Sequence, residues 1–334
     1  MSTSSTTPLE PTPKATKAAT AVPSGRLSKL APTLKRNGLL IFFAFLLVVF
    51  TIARPEFLSQ ANIRNILLSA SVIGILALGQ TVVILTGGFD IGIAKTAVLA
   101  GMVVALTAGM GPAALLVGIA ATIVIGLVNG ILISRTKVNP FIVTLGMYTI
   151  LTSVALLSND GGSVINLPPW LLGLVSWQFL GMPGIVWWFA FIAVITHVAL
   201  AYTRWGGHIY AVGGNEEAAR LAGIKSSNVL ASAYVVAAVV GGLAGVMLTS
   251  RLGTASPVAL PGAELDSIAA VVIGGTKLSG GFGSIPRTIV GILILMALQS
   301  GLVLMGVNPY YQGMFKGAIL ILAVAVDVIF GKKK

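Results

Sequence analysis

The chain has 334 residues, 56% of them hydrophobic and only 9% charged, with a mean hydropathy of +0.98. A water-facing globular surface carries about 25% charged residues, so a soluble domain is excluded and most of this surface faces lipid. The formal charge of +12 would suit nucleic acid, but the 21 basic residues sit between apolar runs rather than on one face, which fits positive-inside topology and no nucleic-acid partner.

Cysteine is absent, which rules out disulfides and thiolate metal sites. Residues 1–37 read as a disordered, basic cytoplasmic tail. Met1 to Pro23 is rich in Ser, Thr, Pro and Ala, a composition that buries too little to fold. Arg26, Lys29, Lys35 and Arg36 then precede the apolar run 38–53. A cleavable leader has a shorter polar lead and a small-residue cleavage site, whereas Ala53 is followed by Arg54, Pro55 and Glu56. The first span therefore reads as uncleaved.

Ten apolar segments follow one another at 38–53, 63–86, 92–110, 112–134, 140–158, 184–203, 227–250, 264–276, 285–306 and 309–330. About 20 apolar residues cross a bilayer as a helix. The expected fold class is an all-α polytopic membrane protein with about ten transmembrane helices, its transmembrane domain running over 38–331 before a basic C-terminus at 332–334. The eighth segment is short and can be re-entrant, since broken backbone is tolerated where it is buried in protein or lines a cavity.

With the N-terminus inside, seventeen of the 21 basic residues fall on the inner side: six in the tail, then Lys95, Arg135, Lys137, Arg204, Arg220, Lys225, Lys277, Arg287 and Lys332–Lys334. Arg54, Arg64 and Arg251 fall outside. Lys316 lies within the last span, where it can snorkel. This bias predicts two cytoplasmic termini. Small residues inside the spans, as in Gly241-Gly-Leu-Ala-Gly245, let helices approach closely in lipid. Gly-Gly-Phe occurs at 87–89 and again at 280–282. That is either the trace of an internal duplication or a chance recurrence in a glycine-rich chain.

No G-x-x-x-x-G-K-[ST] run is present, so the chain does not hydrolyse ATP through a P-loop of its own. His197 and His208 stand far apart with no H-E-x-x-H, so no metal site and no bound cofactor is indicated. Uphill transport would draw its energy from a partner or an ion gradient. The inner loop 204–226 predicts a short helix. Asn215 is a good N-cap, and Glu216 and Glu217 match the positive helix end. Arg220 follows Glu216 by four residues, and Gly223 is a natural stop. Ala218 and Ala219 keep the helix slim. Such a helix either docks a soluble partner or is a solvated loop helix.

Four blocks carry a family resemblance. The run Tyr210-Ala-Val-Gly-Gly-Asn-Glu-Glu-Ala-Ala-Arg-Leu-Ala-Gly-Ile224 resembles the coupling loop of the ribose/xylose/arabinose-type ABC importer permeases. Glu264-Leu-Asp-Ser-Ile-Ala-Ala-Val-Val-Ile-Gly-Gly-Thr-Lys-Leu-Ser-Gly-Gly-Phe-Gly-Ser284 is similar to that family's signature. So are Gly126-Leu-Val-Asn-Gly130 with Asn139-Pro-Phe-Ile-Val-Thr-Leu-Gly146, and the ending from Tyr311-Gln-Gly to Asp327. One block departs: the family reads Gly-Gly-x-Asp-Leu-Ser-x-Gly-Ser, whereas here Gly87-Gly-Phe-Asp90-Ile-Gly-Ile-Ala-Lys95 keeps the Asp, loses both serines and gains a lysine.

The resemblance implies a bacterial inner-membrane permease subunit of an ATP-driven monosaccharide importer. Its partners would be ABC ATPase subunits gripping Asn215, Glu216, Glu217, Ala218, Ala219, Arg220 and Gly223, and a second permease subunit, identical or paralogous. A periplasmic or extracellular sugar-binding protein would dock on loops 159–183 and 251–262. Candidate pathway residues are Gln80, Asp90, Asn129, Asn139, Phe141, Thr144, Asp266, Gln299 and Asn308. Tyr148, His197 and Gln312 are further polar residues within spans; for all of these, interhelical hydrogen bonding is the alternative role. Glu264 and Asp266 are costly to embed and are expected to line water or cap a broken helix. The competing class is an ion-coupled secondary transporter of a small polar solute. It would need buried mid-span carboxylates, which the sequence nearly lacks.

Overall fold

The computed structural model describes residues 26–136, 138–308, 310–315, 317, 318 and 321. The chain divides at Gly38 into Met1–Gly38 and Leu39–Lys334, each taken by itself. In the first unit the backbone is already helical from Arg26, the start of α1 (Arg26–Ala53). The predicted disordered tail is therefore helix over its last third. Residues 1–25 of that tail, Lys316, Asp327 and the basic end 332–334 lie outside the described residues.

In the second unit a 3-10 turn, Pro55–Leu58, leads to α2 (Gln60–Leu85) and α3 (Ile93–Leu106). Then come α4 (Ala114–Thr136), α5 (Pro140–Leu157) and a short α6 (Pro169–Ser176). A hairpin of two-residue strands, β1 (Gln178–Phe179) and β2 (Met182–Pro183), precedes α7 (Gly184–Tyr202). Next are α8 (Arg204–Gly214), α9 (Glu216–Leu221), α10 (Ser226–Leu252), α11 (Ala263–Ile273) and α12 (Ile285–Leu304). The protein is an all-α polytopic membrane protein.

Among the described residues six helical stretches are long and apolar enough to cross a bilayer: α2, Ala108–Thr136 ending in α4, α5, α7, α10 and α12. The other predicted spans are shorter. The apolar part of α1, Gly38–Ala53, and α3 fall below that length, and α11 has 11 residues. At 1.5 Å per residue α3 rises about 21 Å and α11 about 16 Å, against roughly 30 Å of hydrocarbon. Hydropathy sees apolar runs and cannot tell a crossing helix from a broken one. Most of the predicted tenth span, 309–330, lies outside the described residues.

Two helices form the centre. From Gly74 to Leu85 every residue of α2 is buried, as expected of a helix apolar on all sides. Alongside it, α10 packs on α2, α3 and α4. Its contact with α4 is a small-residue seam. A Cβ added at Gly126 would lie 2.6 Å from the Val235 Cα, and one at Gly130 would lie 2.7 Å from the Ala231 Cα. Four residues apart, these glycines share one face and let the two backbones meet. On the α3 side a Cβ at Gly245 would sit 1.7 Å from the Ala97 carbonyl oxygen.

The loops away from α9 are tied together. Val164 and Ala255 exchange backbone hydrogen bonds of 2.8 and 3.0 Å. The Ser250 Oγ donates to the Leu171 carbonyl at 2.6 Å. Loops 159–183 and 251–262, far apart in sequence, therefore make one surface, with Ile165, Phe179, Leu180 and Val258 exposed on it.

Candidate functional site

Loop 204–226 is two helices rather than one. The first, α8, begins at Thr203, whose hydroxyl accepts from the Gly206 N–H at 3.2 Å. The second, α9, is the predicted short helix. Its N-cap is Asn215, with Oδ1 accepting from the Ala218 N–H at 2.9 Å. Gly223 stands just past its end at φ +84°, and the Ile224 N–H returns to the Ala219 carbonyl at 3.0 Å. This is the glycine-terminated closure expected of a helix C-terminus. Arg220 pairs with Glu217, not with Glu216: Nε donates to Oε2 at 3.1 Å and Nη2 to Oε1 at 2.5 Å.

The faces of α9 also differ from the simplest expectation. Ala219 is buried and packs against the main core, so it seats the helix rather than meeting a partner. Glu216, Glu217, Ala218 and Arg220 point outward, and Leu221 is 77% exposed. An exposed leucine between charges is the kind of anchor that docking surfaces use.

Beneath α9, three glycine pairs meet. Gly213 and Gly214 end α8, and the two Gly-Gly-Phe loops press against them. A Cβ at Gly213 would lie 1.8 Å from the Leu85 carbonyl oxygen, and one at Gly280 would lie 2.7 Å from the Gly87 nitrogen. The Gly281 N–H donates to the Leu85 carbonyl at 2.9 Å. Each loop is held by a tyrosine: the Tyr234 hydroxyl donates to the Phe89 carbonyl at 3.1 Å, and the Tyr210 hydroxyl to the Gly283 carbonyl at 3.0 Å. The repeated tripeptide thus makes two halves of one junction. A crevice of about 590 Å³ opens beside it, between Gly87–Gly88, Pro140 and the α9 residues Glu216, Glu217 and Arg220.

The nine candidate pathway residues do not all converge on one site. Gln80 is fully buried, and with its amide turned to satisfy both atoms it donates to the Asp90 carbonyl (3.1 Å) and accepts from the Asp90 N–H (3.3 Å). It pins the loop that folds back beside α2. Asp90 is buried in that loop, facing the backbone N–H groups of Gly92 and Ile93. Asn139 caps α5 by accepting from the Phe141 N–H at 2.9 Å, and the Phe141 ring is exposed. Thr144 is buried and donates to the Pro140 carbonyl at 2.9 Å. Asn129 is buried on α4, with Oδ1 lacking a partner among the described residues.

The remainder lie elsewhere. Asp266 lines a crevice with Gly262, Leu265 and Gly313. Gln299 lines an uncharged groove of mixed character, with Asn62, Asn65, Ser69 and Ser300 beside Ile66, Met296, Val303 and Leu304, at the end of the bundle away from α9. Asn308 caps the next helical turn, its Oδ1 accepting from the Tyr310 N–H at 3.0 Å. Among the further polar residues, Gln312 donates to the Val307 carbonyl at 2.9 Å, and His197 meets Tyr202 edge to face.

One expectation is corrected. Lys95 does not serve as an inner-loop charge: it stands in the first turn of α3 and is 6% exposed. Glu264, at the start of α11, is 8% exposed. Both charges sit at the start of an apolar segment in the sequence, yet the first turns of α3 and α11 are packed inside the bundle.

The family described as branched-chain amino acid transport system / permease component matches residues 62–324. The ribose import permease protein of Bacillus subtilis strain 168 is 40% identical over 313 residues, covering 91% of this chain and 94% of its own. The ribose import permease protein of Escherichia coli K12 is 38% identical over 312 residues (91% and 97%), and the L-arabinose ABC transporter permease protein of Azospirillum brasilense is 35% identical over 298 residues (88% and 88%). No solved structure matches. With the glycine junction, the capped α9 and matches running nearly the whole length, the chain belongs to the sugar ABC importer permease family, as a membrane-embedded subunit without an ATPase site of its own.

Proposed function

We propose that this permease carries a neutral monosaccharide of pentose or hexose size across the inner membrane, beside a second permease subunit with which it shares the pathway. Its loops 159–183 and 251–262 receive a sugar-binding protein, and α9 receives the ATPase. The observation that carries this reading is α9 itself. It is capped by Asn215, closed at Gly223 and seated by Ala219, and it stands on a junction that reaches α2 directly through Leu85. A push on α9 reaches the central helix through backbone contacts that have no side chain to absorb it. Supporting the solute class are the neutral amides and hydroxyls of the groove at Gln299 and the sugar names of the relatives.

The proposed topology has ten spans and two cytoplasmic termini, on the charge bias and on α9 needing to face ATP. Because the chain has no cysteine, single cysteines at Ser2 and Lys334 report cleanly. Both should resist impermeant thiol reagents in intact cells, and labelling from outside would overturn the orientation. The functional test is reconstitution of the permease with its ATPase and binding protein in vesicles. ATP-dependent uptake of one sugar among D-ribose, L-arabinose and D-allose is expected. Uptake confined to amino acids refutes the solute class, and failure to retain an ATPase refutes the coupling role.

A further inference from the structure

The loop between α11 and α12, residues 274–284, is tied from within and from both neighbours. The Lys277 N–H donates to the Phe282 carbonyl at 2.9 Å, and the Gly280 N–H to the Lys277 carbonyl at 3.1 Å. Leu85 accepts from the Gly281 N–H, and Tyr210 donates to the Gly283 carbonyl. The turn is therefore set before any partner arrives, which lowers the ordering cost of a contact. What it displays is one phenyl ring with two cations. The Lys277 Nζ lies 5.4 Å, and the Arg287 Cζ 5.5 Å, from the Phe282 ring centroid. The ring quadrupole attracts both. The two charges stand no more than about 11 Å apart, close to the Debye length of about 10 Å at about 0.1 M salt, so they act as one field. Phe282 is 48% exposed, and Arg287 is exposed beside it. Among the described residues the only ion pair is Arg220–Glu217, so no carboxylate there neutralises the two charges.

This turn lies beside α9. A Cβ added at Gly281 would be 2.6 Å from the Gly214 Cα. Phe282 and Asn215 are each one residue further on, so their Cα atoms lie within about 12 Å of each other. The six residues of α9 make a rod only about 9 Å long. A specific protein interface covers about 800 Å² on each partner, a disc of roughly 16 Å radius, which α9 alone cannot fill. A partner seated on α9 therefore reaches Phe282. We propose that Lys277, Phe282 and Arg287 form a second contact for the ATPase, receiving an acidic patch on it with the ring as the apolar anchor. This rests on the coupling role of α9. The two contacts differ in charge: α9 displays Glu216 and Glu217 with Arg220, whereas the turn displays two cations. Such a face accepts a complementary partner in one orientation and opposes the reverse one by like-charge juxtaposition. Because the turn also rests on Leu85 at the end of α2, the ATPase would hold the bundle on both sides of the glycine junction. The backbone contact with Gly213 and Gly214 favours protein over lipid as the occupant; an anionic phospholipid headgroup is the rival outcome.

The test uses the tagged full-length permease with its ATPase. A chain carrying both Lys277→Glu and Arg287→Glu should retain about tenfold less ATPase than wild type at about 50 mM salt. At about 500 mM salt the difference should shrink to within about threefold, because exposed charges are screened. Equal retention by variant and wild type, or a loss that ignores salt, overturns the contact. A second measurement avoids charge reversal. Ser279 is exposed in the same turn, and the chain has no cysteine. Ser279→Cys is labelled with benzophenone maleimide and illuminated in the assembled complex, in vesicles containing phosphatidylglycerol. A permease–ATPase adduct is expected. A lipid adduct alone, or no adduct, in a preparation that retains the ATPase overturns the second contact and leaves α9 standing. A wild type that retains no ATPase overturns both.

Discussion

Gly213→Ala tests whether the glycine junction links α9 to the bundle. Built on this backbone, the new Cβ lies 1.8 Å from the Leu85 carbonyl oxygen and 2.7 Å from the Gly281 nitrogen. Both neighbours are backbone, so no side chain can swing aside. The same Leu85 oxygen accepts the Gly281 N–H at 2.9 Å. Overpacking a tight contact costs about 1–3 kcal/mol, and a displaced hydrogen bond adds about 1 kcal/mol. A sum of about 2–4 kcal/mol is a factor of roughly 30 to 1,000 against the closed junction. The chain relieves it by lifting α8 off the end of α2, which carries α9 with it. Sugar uptake in vesicles should therefore fall at least about tenfold, while the variant still inserts in the membrane, since the junction lies at the helix ends. Gly207→Ala is the control: it is also on α8, and nothing lies within 4 Å of its added Cβ. Equal uptake and equal ATPase retention by the two variants would refute the reasoning.

Three further outcomes are expected. Leu221→Asp removes a side chain that is 77% exposed, so membrane level should not change; if Leu221 is buried by the ATPase, worth about 1.5–3 kcal/mol, pull-down of the ATPase drops about tenfold or more, and wild-type pull-down would remove it from the interface. Asn215→Ala loses the N-cap bond to Ala218, costing about 1 kcal/mol of α9 stability; pull-down should weaken by about fivefold and recover in Asn215→Asp, and equal loss in both variants would count against a capping role. Gly223→Val forces a β-branched residue to φ +84° at a cost of about 1 kcal/mol or more; uptake should fall more than in Glu217→Lys, which breaks a solvent-exposed ion pair with Arg220, and the reverse order would show that the charge matters more than the turn.

Much of this architecture is legible in the chain itself. Segment ends such as 140–158, 184–203 and 285–306 match α5, α7 and α12 closely, because a bilayer rewards unbroken apolar length and backbone polar groups in lipid leave no alternative to a helix. The α9 cap and stop are equally local: Asn215 and Gly223 act within four residues of their partners, so spacing alone predicts them. What depends on the tertiary structure is everything that joins distant segments. The sequence offers two Gly-Gly-Phe tripeptides as a curiosity; only the fold presses Gly280 on Gly87 and Gly213 on Leu85, since a missing Cβ has meaning only when its neighbour is known. Charge counting likewise sends Lys95 to the inner surface. The fold instead buries it over Tyr148, because the loop before α3 turns back beside α2, where Gln80 holds it. Hydropathy records how apolar a residue's neighbours in sequence are; whether a charge meets water depends on neighbours in space.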